Sequence, residues 1–445
     1  MRRILRTELR RSSALGVGLV VLVIGMGLLY LAPGNWAGSW MGLAVTHRMD
    51  LILLWSLALA GGAWQVRRER RSRVDELFAS VARPRWQRLA PTAVAVALTA
   101  VVAYLAAFLA GAVRVAPTAS YYPPGTPLVL AVGALSMIPA VWIGMAVGRA
   151  LPYLVTAPAL AVVAAMGLLG VPIVFTDPKG HDPRFVLLSP VLSTPLGDLV
   201  TVAGRIHVAH TVWLVCVAAA GFGLLVATTR RGAALAATPV LLGAAVALPM
   251  LPTGGNEAAF RFDPAAAQLV CAEGAPRVCV RKVHARLLPD VTPPARQALA
   301  LLAKLPEPPT AVVEAGTSYF GAPSQPYTAD TVQFYATFDV RVRLRSADEF
   351  VQDLLTDAFI RPCDRTDPDD GEHSYVARRV VAAWLTGKAP APDPNDRAGD
   401  AMAKRAYQEL VALPPAEQRA RVAAARRAAL TCEGKLYEVL TEGAR

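Results

Sequence analysis

Seven apolar segments, each near the length of a membrane span and separated by short loops, constrain this 445-residue chain more than any other feature. They run 14 to 32, 44 to 64, 89 to 113, 127 to 148, 152 to 175, 207 to 228 and 233 to 252. About 20 apolar residues are needed to cross ~30 Å of hydrocarbon as a helix. Backbone polar groups in lipid must be satisfied within the segment, and the runs lack the period-2 alternation of a barrel, so they read as helices. The first run is too long for a signal peptide and has no small-residue cleavage site before Pro33. The expected fold class is an α-helical polytopic membrane protein of about seven spans, with a C-terminal α+β extracytoplasmic domain.

Orientation follows from the basic residues. With the N-terminus cytoplasmic, sixteen Lys and Arg face inside, among them Arg2, Arg3, Arg6, Arg10, Arg11, Arg67, Arg85, Arg149, Arg230 and Arg231. Only Arg48, Arg114, Lys179, Arg184 and Arg205 fall outside before the last span ends. The positive-inside rule then gives a multi-pass protein of the cell membrane, with residues 253–445 exported. The net charge of +12 resolves into +13 for residues 1–252 and −1 for the remainder. The excess therefore belongs to the inner membrane surface and its anionic lipid, which argues against a nucleic-acid partner. No charged side chain lies near the middle of a span in this reading, which disfavours an ion-coupled transporter. His207 and His210 fall at the outer start of the sixth span and read as interfacial rather than as metal or haem ligands.

Four of the five cysteines, Cys271, Cys279, Cys363 and Cys432, lie in the exported part, an even number that suits disulfides in an oxidising compartment. The preferred pairing is Cys271 with Cys279 and Cys363 with Cys432, although sequence permits three pairings. Zinc is disfavoured because the C-x2-C spacing is missing. Cys216, inside the sixth span, reads as packing.

Between the second and third spans, Val74, Leu77, Phe78 and Val81 recur at helical spacing before Pro84. An amphipathic helix over 70–83 could lie on the inner leaflet or dock a cytoplasmic protein. The stretch Arg68-Glu69-Arg70-Arg71-Ser72-Arg73-Val74-Asp75-Glu76-Leu77-Phe78-Ala79-Ser80-Val81-Ala82-Arg83-Pro84-Arg85-Trp86 resembles the segment found at this place in type-2 (ABC-2 class) export permeases of the ATP-binding-cassette transporters, particularly actinobacterial ones. The basic start, residues 1–13, resembles their interface helix, and residues 187–198 resemble their outer re-entrant helices. The resemblance covers residues 1 to about 230 and implies a coupling helix that touches an ATPase through Arg70, Glu76, Leu77, Phe78 and Arg83. It also implies a homodimer, or a heterodimer with a second permease. The chain departs from the simplest members by a seventh span and the exported domain. No Walker-type G-x-x-x-x-G-K-[ST] loop is present, so no cofactor is expected in this chain and ATP with Mg would sit on a separate P-loop ATPase. The rival reading is a non-transporting membrane anchor for an extracytoplasmic ligand-binding or sensor domain.

In the exported domain, Thr331 to Ser346 alternates apolar and polar residues and predicts one long strand with a solvated face that includes Gln333. Shorter strands are expected at 267–271, 277–284 and 310–314, and helices at 292–304, 347–358, 373–387, 397–412 and 415–430. Residues 378–385 are similar to the zinc helix of gluzincin aminopeptidases, but Arg378 and Ala382 stand at the ligand positions and Arg379 replaces the catalytic glutamate. That stretch therefore reads as a core helix with Trp384 packed inside. The acidic run Asp364, Asp367, Asp369, Asp370 and Glu372 lacks the calcium-loop pattern and reads as a solvated loop. No nucleophile, base or metal constellation marks the chain as an enzyme.

Overall fold

The computed structural model describes the chain except for residues 1–13, 72–83, 176–182, 193–197, 255–256, 317–327, 336–342, 361–367, 394–395 and 443–445. It divides into two compact units between Asp263 and Pro264.

The first unit is helical. In chain order it holds α1 (Ala14–Leu31), α2 (Trp40–Met49), α3 (Leu51–Arg71), α4 (Arg85–Val115), α5 (Thr126–Ala150), α6 (Thr156–Phe175), α7 (Gly204–Val226) and α8 (Arg230–Met250). By length and composition α1, α4, α5, α7 and α8 can each cross a membrane, and α2 with α3 makes a sixth candidate bent by 48°. Helix α6 is apolar over residues 156–171. Every one of the seven apolar segments is thus helical. Their outward faces carry Leu31, Val113, Leu235 and Leu241, all strongly exposed, as suits a lipid-facing surface.

Without a hydrophobic drive between helices in lipid, close packing relies on small residues. The α3/α5 seam is built this way. A Cβ added at Gly144 would land on the Leu59 carbonyl, one at Gly62 on the Val141 carbonyl, and one at Gly148 only 2.6 Å from the Ala63 Cα. The matched order, 59 with 144 and 63 with 148, makes α3 and α5 run parallel, so Arg149 falls beside the Arg67 end of α3. Trp142 donates to the Ala93 carbonyl at 3.1 Å, and Arg85 donates to the Ala227 carbonyl at 3.2 Å. These contacts gather Arg67, Arg85, Arg149 and Arg230 at one end of the bundle. Trp64 and Trp86 are exposed there, with the Arg67 guanidinium 5.5 Å over the Trp64 ring, the placement expected of an interfacial aromatic belt.

The second unit is α+β. Strands β3 (Leu269–Cys271), β4 (Arg277–Arg281), β5 (Ala311–Glu314) and β6 (Thr331–Phe334) follow a short antiparallel pair in the first unit, β1 (Val200–Val202) with β2 (Phe260–Phe262). The sheet order is β3-β4-β5-β6, antiparallel at β3/β4 and parallel thereafter. Helix α9 (Leu288–Leu302) makes the β4-to-β5 crossover, and α10 (Ala347–Asp357), α11 (Pro368–Thr386), α12 (Arg397–Ala412), α13 (Pro415–Thr431) and α14 (Leu436–Glu442) follow the sheet. Val280, Val312, Val332 and Phe334 share one core with Leu354, Phe359, Val380 and Leu410.

Two expectations are corrected. Helix α9 starts at Leu288 rather than 292, with Pro289 in its first turn, and the Thr292 hydroxyl donates to the Leu288 carbonyl at 2.6 Å. Gln333 is buried, because the face of β6 opposite the main core is covered as well. Thr331–Phe334 of the long expected strand is strand, and its residues 336–342 lie outside the described residues. Helix α14 was not anticipated.

Burial raises the Asp357 carboxyl to about 7, with Arg378 opposing and Asp353 adding to the shift. A carboxyl raised above its unperturbed 3.8 contributes stability that is complete below that value and is lost as pH rises through about 7. Hydrogen exchange in α10 of the full-length protein should therefore quicken between pH 5 and pH 8 beyond the intrinsic base-catalysed rate, and Asp357→Asn should remove that excess. In the helical unit, Gly144→Leu should lower thermal stability through the α3/α5 seam, while Gly167→Leu, where a Cβ meets nothing within 4 Å, should not.

Candidate functional site

The junction of α2 and α3 carries the densest buried polar cluster described in the helical unit. Ser39 caps α2 by accepting from the Gly42 N–H at 3.0 Å. The last turn of α2 ends with His47 and Arg48, and cations are favoured at a helix C-terminus. Asp50 then caps α2 and starts the 48° bend into α3. His47, Arg48 and Asp50 therefore sit at the bend of the α2/α3 pair, one of the candidate membrane spans. The expected span began at residue 44, whereas the helical pair begins at Trp40 and carries these residues further from its start.

Arg48 is fully buried. Its Nε donates to the Pro190 carbonyl at 2.8 Å, and its Nη2 lies 3.2 Å from His210 Nδ1. His210 Nε2 lies 2.5 Å from the Leu187 carbonyl. A carbonyl only accepts, so Nε2 carries the proton, and the Nδ1 lone pair of a neutral ring is free to accept from the guanidinium. The result is a continuous chain of donors and acceptors from Leu187 through His210 and Arg48 to Pro190. It ties the end of a 3-10 helix, Pro183–Leu188, to both α2 and α7. The carbonyls of a short helix end need such partners when buried.

On the other side of Arg48, His47 stacks on Tyr104 of α4 at 4.0 Å and donates from Nε2 to the Tyr104 carbonyl at 3.0 Å. The remaining His47 nitrogen is 3.7 Å from the Asp50 carboxylate. Gly133 of α5 makes room for this layer, since a Cβ there would strike the Tyr104 hydroxyl and stand 2.9 Å from Arg48 Cδ. His207, one turn before His210 on α7, is 5% exposed, and among the described residues neither of its ring nitrogens has a hydrogen-bond partner. Both histidines are buried. The sequence offered one signal for this, their spacing of three on a single helix face, but nothing that joins them to Arg48.

The site residues expected from sequence are placed as follows. Arg70 lies in the last turn of α3, whereas Glu76, Leu77, Phe78 and Arg83 lie outside the described residues, as do most positions of the 70–83 helix. Helix α3 runs without a break into the start of that stretch, and Pro84 precedes α4 directly. Cys271 and Cys279 stand directly opposite each other on β3 and β4 and form a disulfide. Cys432 is disulfide-bonded as well, and Cys363 lies outside the described residues. Cys216 is a free thiol.

The second unit holds a buried network of its own. Glu314, 3% exposed, accepts from the Arg281 N–H at 2.7 Å and lies 2.6 Å from His284 Nδ1. The Arg281 side chain donates to the carbonyls of Glu314 and Ala267, and burial lowers its pKa with Glu314 opposing. These bonds fasten β4 to β5 and to the turn after β4. Arg379, at the position compared with a catalytic glutamate, is spent on an ion pair with Asp400 and on the Ala391 carbonyl. Trp384 is half-buried against the core, with its N–H on Gln418 at 2.8 Å. Among the described residues no group of three or more His, Cys, Asp or Glu is placed to hold a metal ion.

Comparison of the chain with protein-family models, with curated proteins and with solved structures returns no match.

Arg48→Ala leaves the Pro190 carbonyl and His210 Nδ1 buried without a donor, a cost of about 1–3 kcal/mol for each such group, and should free the 187–190 stretch. Amide exchange at Leu188 and Ser189 should rise by at least tenfold, roughly the effect of 1.4 kcal/mol, with Arg48→Lys falling between. Unchanged exchange would show that the chain of bonds does not hold this stretch.

Proposed function

We propose that this chain is the membrane permease subunit of an ATP-driven export system, moved by a separate cytoplasmic P-loop ATPase. The observation that carries the reading is the basic, amphipathic stretch between α3 and α4, which resembles the coupling segment of type-2 export permeases. Three structural features support it. The helical unit has enough long apolar helices to span a membrane, its arginines gather at the end from which that stretch leaves, and α3 connects the stretch to the bent α2/α3 junction. A push delivered at residues 70–83 would travel along α3 to the break at Asp50. There Arg48 holds the carbonyl end of the 183–190 stretch. Rocking of the junction would thus be transmitted to that stretch, which becomes the exit gate in this reading. The chain's own role is mechanical, and hydrolysis belongs to the partner.

A second reading, a membrane-anchored binding or sensor protein, is favoured by one feature. Residues 264–445 form a unit with its own apolar core and a disulfide, larger than coupling to an ATPase requires.

Purification of the tagged chain from its native membrane in mild detergent separates the two. The permease reading expects a near-stoichiometric P-loop ATPase, lost when Leu77→Asp and Phe78→Asp are combined while membrane insertion is retained. Reproducible absence of an ATPase moves the function to the second unit.

A further inference from the structure

We infer that Arg48 and His207 form a binding site, inside the helical unit, for the acidic head of an amphipathic ligand such as a phosphate-headed lipid or a fatty carboxylate. This inference is independent of the transport reading.

A guanidinium held in a low-dielectric interior carries a desolvation penalty of several kcal/mol that neutral partners offset only in part. The direct partners of Arg48 are neutral, the Pro190 carbonyl and the His210 ring. Its Nη1 is buried and makes no hydrogen bond. Among the described residues no carboxylate lies within ion-pair distance of it, since Asp50 is directed to His47 at 3.7 Å. His207 is the second uncommitted group. It lies one turn before His210, the residue that Arg48 meets at 3.2 Å, and among the described residues both of its buried ring nitrogens are without a partner. Guanidinium with an adjacent imidazole N–H is a donor set suited to the oxygens of phosphate or carboxylate.

The surroundings select the rest of the ligand. His207 shares α7 with an exposed strip of Val208, Thr211 and Val215, so an apolar chain lying along that strip brings its head to the His207 turn. Leu187, Val191 and Leu192 are buried in the same helical unit and offer no competing charge. The predicted ligand therefore has one acidic head and an acyl-like body, and small inorganic anions lack the second half.

The test is equilibrium binding of radiolabelled phosphatidylglycerol, oleate and neutral diacylglycerol to the delipidated full-length protein in detergent. We expect one saturable site per chain for at least one acidic probe. Affinity should fall about tenfold or more in His207→Ala and in Arg48→Lys, the effect of losing one hydrogen bond to a charged group. His207→Ala is the cleaner variant because its ring makes no hydrogen bond that the fold would miss, and size-exclusion behaviour verifies this. Competition between the probes identifies the source of the head: preference for phosphatidylglycerol points to a lipid, and preference for oleate to a carboxylic amphiphile. Diacylglycerol bound as tightly as the acidic probes, or acidic probes bound equally by wild type and both variants, overturns the assignment.

Discussion

A polar group taken out of water must find its partner within the protein, and this constraint shapes the helical unit. Along the spans the backbone meets the constraint by forming helices, and the side chains are left apolar. Where the chain leaves the Pro183–Leu188 turn, the Leu187 and Pro190 carbonyls have no helical partner and side chains take over. Arg48 and His210 are the side chains that do so. The charge centre and the irregular stretch it holds are therefore one feature, since each would be unstable without the other.

The same economy explains the close α3/α5 seam. Gly62, Gly144 and Gly148 bring backbone against backbone and fix the two helices in register. Helix α3 in this seam runs from the break at Asp50 to the basic end of the bundle. In the second unit the constraint is met differently. There Glu314 gathers a backbone N–H and an imidazole around one buried carboxylate, and a disulfide joins the edge strand β3 to its neighbour β4.

Much of this was legible in the sequence because hydrophobic runs of span length have few alternative structures. All seven runs are helical, the Cys271 to Cys279 pairing is present, and all five helices expected in the second unit end within two residues of expectation. Arg48 was missed for a physical reason. A charge near the end of an apolar run looks like a loop, and only tertiary structure supplies Pro190 and His210, which lie 142 and 162 residues away. Gln333 was misplaced because alternation on a strand predicts a wet face only when nothing covers it. The gluzincin-like stretch shows the converse. Arg379 looked like a replaced catalytic group, and its ion pair with Asp400 accounts for it structurally.

The account depends most on the coupling stretch and the second unit facing opposite sides of a membrane. In a Cys216→Ser background, single cysteines at Ser72 and at exposed Lys388 can be probed with a membrane-impermeant maleimide on intact cells and after permeabilisation. The account predicts that Lys388→Cys labels on intact cells and Ser72→Cys only after permeabilisation. Labelling of both positions on the same side would contradict it.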